Sequence, residues 1–330
     1  MSMSTIRKRD ILALIAVVAI LLAMIPTMVL AAGDTGDVTG TFQLGNSDPV
    51  VNSVGLFSTG GASQDTITPQ QEQVIKVDVT DNDTLNNLTT ITVTVWYDST
   101  GSATRPTVVD PKTCAIFTWT KSGGTYTMPS NGTWAILTGL TPTLSATNGV
   151  FEFHFKAGKV ATEETVGTTS QWRIYAEASD GTASASNSQA GRKMAWYGEV
   201  DTSAAVNWGT VTANSDFPAN KQTGISVTYR ANGNYTEQVA ASSPWSGGAT
   251  LNAGGTPGGN AFSLKAWNSD TYGSAVLVNN SPTYTALDIT GTQTNEGGNP
   301  VNNNTLWLKV GTPFNTGIQS GTIYYQIVNR

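Results

Sequence analysis

The chain has 330 residues, 12% of them charged, and a net charge of −6 at neutral pH; soluble domains average roughly 25% charged. A phosphate-binding surface needs clustered Lys and Arg, and no basic run follows Arg9, which excludes nucleic acid as a partner. One cysteine, Cys114, excludes an intrachain disulfide, and with the single histidine, His154, it leaves too few ligands for a Cys/His zinc site.

In chain order, Arg7, Lys8 and Arg9 precede an uncharged apolar run from Ile11 to Leu30 that ends in Val29-Leu30-Ala31-Ala32-Gly33. A basic segment, an apolar segment and small residues at a cut site make up an export signal. Pro26 would break the helix ahead of that site. Residues 1–31 are therefore expected to be a signal peptide cut after Ala31 or Ala32, and the chain to act outside the cell or on its surface. The same run is long enough to span a bilayer. An uncleaved N-terminal anchor is the alternative, with membrane contact through this segment alone. Lys8-Arg9-Asp10 before Ile11 also resembles the cleavage site of prokaryotic type IV pilins, whose apolar helix is retained in a filament core; the chain lacks a glutamate near the start of such a helix.

About 300 residues remain after the signal, enough for two domains. Residues 32–44 stand apart as an N-terminal arm: Val38, Phe42 and Leu44 alternate with Thr39, Thr41 and Gln43, and Gly45-Asn46-Ser47-Asp48-Pro49 detaches them. They read either as a strand of their own domain or as a donor strand that completes a neighbour's sheet through backbone hydrogen bonds.

No amphipathic helix follows. Short alternating segments separated by Gly, Pro, Asn and Asp predict an all-β chain. In the first domain, 45–197, Val74–Val79 and Ile91–Tyr97 alternate, and Phe151, Phe153 and Phe155 share one face opposite Glu152, His154 and Lys156. Trp134–Leu137, Gln171–Ala178 and Lys193–Val200 are further expected strands, with Trp96 and Trp172 as core anchors. Val77-Asp78-Val79-Thr80-Asp81-Asn82-Asp83, Val93–Asp98 and Trp172–Gly181 resemble the Ig-like and fibronectin-like modules of secreted prokaryotic surface proteins. The resemblance covers most of this domain and implies a sandwich fold rather than a chemistry.

The second domain, 198–330, opens with Asn207-Trp208-Gly209-Thr210-Val211 and Gly224–Tyr229. Asn232-Gly233-Asn234 before Tyr235–Ala241 predicts a hairpin, because these residues tolerate positive φ. Thr305–Val310 and Ser320–Ile327 close the chain. This order resembles the small C-terminal β-sandwich of archaeal and bacterial envelope proteins, which ends on a Gly-Thr-Ile-type strand. Neither a sorting motif nor an apolar tail follows it.

Few residues suggest chemistry. His154 is expected on a solvated strand face and Cys114 inside as a small hydrophobe. Gly254-Gly255-Thr256-Pro257-Gly258-Gly259 lacks the helix and lysine of a phosphate loop. Sequence spacing cannot pair the 23 acidic residues into a hydrolase site. Asp81, Asp83 and Asp180 fall in loops at one end of an Ig-like sandwich and are candidate Ca²⁺ ligands, or else ordinary turn formers. Trp96, Trp119, Trp172 and Trp307 read as core, whereas Trp245 and Trp267, near Gly- and Asn-rich loops, are candidates for stacking on glycans. Sequons at Asn82, Asn87, Asn131, Asn234, Asn279 and Asn303 are candidate N-glycosylation sites, although chance alone would produce them in so Asn/Ser/Thr-rich a chain.

The expectation is thus an all-β protein: two Ig-like antiparallel β-sandwich domains behind an N-terminal hydrophobic signal or anchor helix. Its expected role is that of a non-catalytic structural protein of the cell envelope, with no cofactor beyond Ca²⁺, self-assembling into a filament, sheath or surface layer. Copies of itself, other envelope proteins or glycans are the expected partners. An adhesin or carbohydrate-binding module, and a pilin-like subunit with a retained helix, are the alternatives.

Overall fold

The computed structural model describes residues 41–43, 45–296 and 301–330, with only the backbone of residues 288–290. The chain divides into two compact units, residues 1–45 and 46–330. In the first unit the described residues form no regular structure, and Phe42 is 87% exposed. The hydrophobic segment, the expected cut at Ala31 and Ala32, and arm residues Val38 and Leu44 lie outside the described residues.

The second unit is all-β: twenty strands and three single-turn 3₁₀ segments are found among the described residues. Ten strands build the first sandwich: β1 (Val50–Ser58), β2 (Thr66–Ile67), β3 (Glu72–Thr80), β4 (Thr90–Asp98), β5 (Cys114–Thr120), β6 (Thr125–Thr127), β7 (Ala135–Leu140), β8 (Asn148–Lys156), β9 (Gln171–Ser179) and β10 (Ser184–Met194). One sheet has the order β1-β3-β8-β7 and the other β2-β10-β9-β4-β5-β6. All neighbours are antiparallel except β2, which lies parallel to the end of β10 with Thr66 opposite Lys193.

Period-2 geometry sends alternate side chains to opposite faces. Phe151, Phe153 and Phe155 of β8 accordingly meet Ile91, Val93 and Val95 of β4 in one shared core. Trp134 stacks on Phe155 with ring centroids 6.4 Å apart and packs against Trp172 at 6.0 Å. Trp119 lies 4.8 Å from Phe151. Trp96 departs from expectation. It alternates with Val95, so it points to the outer face of its sheet, where it is buried beside Cys114 outside the shared core. Trp119, Trp134 and Trp172 anchor the core instead.

The second sandwich comprises β11 (Gly198–Ser203), β12 (Lys221–Ala231), β13 (Tyr235–Ala241), β14 (Thr250–Leu251), β15 (Ala261–Trp267), β16 (Val276–Leu277), β17 (Asn279–Asn280), β18 (Thr285–Gly291), β19 (Val301–Val310) and β20 (Ile323–Asn329). One sheet runs β11-β12-β19-β15-β14, with β16 also on β15; in the other, β13 is flanked by β20 on one side and by β17 and β18 on the other. Here too the outer face takes a tryptophan: Leu306 and Leu308 face the core, while Trp307 packs outside it against Tyr272, centroids 5.7 Å apart.

Two sequence expectations fail at the junction. The expected strand Lys193–Val200 is two strands, because the chain leaves β10 at Met194 and starts β11 at Gly198. The expected Asn-Gly hairpin does not form, because β12 and β13 belong to different sheets. Asn232 is instead a buried clasp between the sandwiches. Its Nδ2 donates to the Ala161 carbonyl (2.9 Å) and the Ala195 carbonyl (2.8 Å), and its Oδ1 accepts from the Tyr197 N–H (2.7 Å). Around it, Lys159 Nζ meets Glu199 Oε1 at 2.7 Å, Asn329 Nδ2 donates to Glu163 Oε1 at 2.9 Å, and Gln293 Nε2 donates to the Val160 carbonyl at 2.8 Å.

Candidate functional site

An apolar recess lies in the second sandwich, on the side of β20. Ser242 N–H donates to the Thr322 carbonyl at 2.8 Å, which sets the phase of the β13–β20 ladder. In an antiparallel pair only alternate residues bond to the partner. Tyr324, Gln326 and Val328 therefore bond to β13, and the backbone of Ile323, Tyr325 and Ile327 points to the opposite edge. Among the described residues no strand pairs with that edge.

Residues 204–214 pass alongside without mending it. Ala204 N–H donates to the Ser226 carbonyl and Asn214 N–H to the Val310 carbonyl, both at 2.9 Å. The stretch between them forms no strand, and Val206, Trp208 and Val211 are only half-buried against the core. Gly209, in the left-handed region at φ 66°, and Asn207, whose side chain accepts from the Gly209 N–H, bend this stretch out of the extended form.

What remains is a groove of about 1220 Å³ between the sheets, walled by Trp208, Trp245, Phe262, Leu308, Ile323 and Tyr325. Trp245 reaches the wall because Gly321 faces it: a Cβ there would overlap the indole. Three buried donors on these walls lack a partner among the described residues, namely Trp208 Nε1, Trp245 Nε1 and Tyr325 Oη. Each such orphan costs ~1–3 kcal/mol. Burial, and then the charge of Glu237, push the Tyr325 phenol well above its ordinary value, so it stays a neutral donor.

Glu237 is the polar group that the sequence reading missed. It lies fully buried between the sheets, accepting from the Tyr229 hydroxyl, from Asn304 Nδ2 at 2.7 Å and from Asn302 Nδ2 at 2.7 Å. The signal was its phase, since Tyr235, Glu237, Val239 and Ala241 of β13 share one face.

Asp81, Asp83 and Asp180 gather at one end of the first sandwich. Among the described residues no three of His, Cys, Asp and Glu are placed to hold a metal ion. Their oxygens are already engaged. Asp83 accepts from the Ser47 N–H, Asp81 Oδ1 from the Asp83 N–H at 2.9 Å, and Asp180 from the Thr182 and Ala183 N–H at 2.7 Å each and from Asn46 Nδ2 at 2.6 Å. Calcium needs about six to eight oxygens, and only Asp81 Oδ2 is left buried without a partner. Burial, with Asp83 and Asp180 nearby, raises the Asp81 carboxyl above its ordinary range. This end of the sandwich fastens the chain at Asn46 and Ser47.

The two tryptophans proposed to stack on glycans are not brought together. Trp245 is buried in the core, 4.3 Å from Phe262 between centroids, whereas Trp267 alternates with core residue Ala266 and is half-buried on the outer face. Indoles on opposite faces of a sheet cannot stack on one sugar. Among the sequons, Asn82, Asn87, Asn234 and Asn303 are exposed and Asn279 is half-buried. Asn131 is closed to modification in the folded chain, because it is buried and its Nδ2 donates to the Cys114 carbonyl at 2.8 Å.

His154 lies on the polar face of β8, its Nδ1 2.9 Å from Glu72 Oε1. Cys114 is buried and free, with burial pushing its thiol up to about 11, which removes it as a nucleophile at neutral pH. No family model matches the chain, and no curated protein is significantly similar to it.

Proposed function

We propose that this is an exported, non-catalytic structural protein of the cell envelope whose copies associate into a filament, sheath or layer. The observation that carries this reading is the second sandwich, which leaves an apolar inter-sheet groove and the adjacent edge of β20 open to the surroundings. Open strand edges and large apolar recesses are association surfaces. The basic–apolar–small pattern of residues 7–33 supports export, by cleavage after Ala31 or Ala32 or with the segment kept as an anchor or pilin-like helix.

The first sandwich supports an Ig-like assignment. With β1, β3, β8 and β7 as strands A, B, E and D, and β10, β9, β4, β5 and β6 as G, F, C, C′ and C″, its sheets follow the order of a variable-type immunoglobulin domain. The adhesin alternative keeps only Trp267 of its two aromatic candidates and has no observation in its favour.

Negative-stain electron microscopy of the exported chain tests the proposal. Regular fibres or sheets are expected. Monodisperse particles across concentration, salt and pH would overturn it.

A further inference from the structure

We propose that the open groove of the second sandwich receives residues 32–44 of another copy of this chain, added as a strand along the free edge of β20. This rests on the self-association reading above and gives it a specific joint.

The groove asks for an extended, half-apolar segment. Ile323, Tyr325 and Ile327 turn their side chains inward and their backbone N–H and C=O groups to an edge that no strand pairs with among the described residues; β11 passes close to Ile327, and a strand laid beside Ile323 and Tyr325, which wall the groove, would extend the ladder and the core together. Residues 38–44 match that demand. Val38, Phe42 and Leu44 share a phase with Gly40, opposite Thr39, Thr41 and Gln43, over seven residues, the length of β20. Phe42 is an exposed aromatic, at 87% exposure. The chain's own 204–214 segment lines one side of the groove without supplying a ladder.

Reach makes the contact intermolecular. Asn46 and Ser47 are held by Asp180 and Asp83 at the end of the first sandwich where β3 and β9 finish. The second sandwich is clasped to the opposite end, at Ala161, Glu163 and Ala195. Running back from Asn46 along β9, nine residues long, takes about nine extended residues. Val38, Phe42 and Leu44 are passed before the clasp is reached, and the groove lies beyond it. A chain that offers its arm at one end and its groove at the other makes head-to-tail contacts, which propagate as open filaments unless the rotation closes a ring.

The test uses the exported chain carrying Phe42→Asp, a change outside the folded body, together with a synthetic peptide of residues 32–44. Saturating wild-type peptide is expected to slow hydrogen exchange at the amides of Ile323, Tyr325 and Ile327 and to change the fluorescence of Trp208 and Trp245. The Phe42→Asp peptide should bind at least roughly tenfold more weakly, since a buried phenylalanine is lost. Unchanged exchange at β20 under saturating peptide, or equal binding of the two peptides, would overturn the inference.

Microscopy separates this inference from the reading beneath it. If Phe42→Asp chains still form wild-type fibres, the groove pairing falls and self-association stands. If the peptide protects β20 while the unaltered chain stays monodisperse, self-association falls and the groove's preference for this segment stands.

Discussion

The last strands of the two sandwiches, β10 and β20, meet different fates. The outer edge of β10 receives β2, parallel at Lys193 and Met194, and the sheets behind it close over Trp119, Trp134, Trp172 and the three phenylalanines of β8. The outer edge of β20 forms no ladder among the described residues, although β11 runs close beside its Ile327 end, and the sheets behind it part into a groove. The difference comes from the segment that could have filled the place. Thr66-Ile67 extends and pairs, while 204–214 is bent at Gly209 and bonds only near its ends. A short break in an otherwise suitable stretch thus leaves this edge of β20 without a ladder partner among the described residues.

Five substitutions sharpen or break this comparison. Trp119→Ala, in the closed core, should cost ~4 kcal/mol. Trp245→Ala, at the groove wall, should cost about half that, because its cavity already opens to solvent. Chemical denaturation checks both, and equal losses would break the contrast.

Asp98→Asn comes next, at ~3 kcal/mol, because it breaks a buried pair: Asp98 Oδ2 lies 2.7 Å from Arg173 Nε. Burial alone would raise the Asp98 carboxyl, but the Ala103 N–H, Arg173 and the Thr100 and Gly101 N–H groups outweigh it and hold it below the ordinary range. Its stabilisation is therefore complete above the ordinary carboxylate value and lost as pH falls through the lowered one. The variant's deficit should shrink in strong acid, as read from melting temperatures across pH.

Asn232→Ala removes three side-chain hydrogen bonds of the clasp and should cost ~2 kcal/mol. The sandwiches should then melt in two calorimetric steps, the second sandwich first; a single transition would show that the clasp does not couple them.

Asp81→Asn should have the smallest effect, a gain in stability at neutral pH. The raised Asp81 carboxyl means that the folded state binds more protons than the unfolded one between the ordinary value and the raised one, so stability falls as pH rises through that window. The gain should therefore vanish below the ordinary carboxylate value. Added Ca²⁺ should leave the melting temperature of the unaltered chain unchanged.

Alternation made much of this architecture legible in advance. Phe151, Phe153 and Phe155 announced a dry face, and all three lie in the shared core. What escaped depends on tertiary docking. Asn232-Gly233 has hairpin chemistry, yet the other sandwich supplies partners that draw Asn232 inward. Trp245 lies in a Gly-rich loop and still enters the core, because Gly321, far along the chain, leaves room for it. The acidic cluster was foreseen in position, and the local N–H groups that engage its oxygens left no mark in the spacing. The groove left no mark in periodicity at all, being the absence of a strand rather than the presence of one.

Hydrogen exchange of assembled against monomeric chains, read at β20, tests the central claim most directly. The account predicts that Ile323, Tyr325 and Ile327 exchange freely in the monomer and become protected on assembly, while β10 is unchanged. Assembly that leaves these three amides as exposed as before would contradict it.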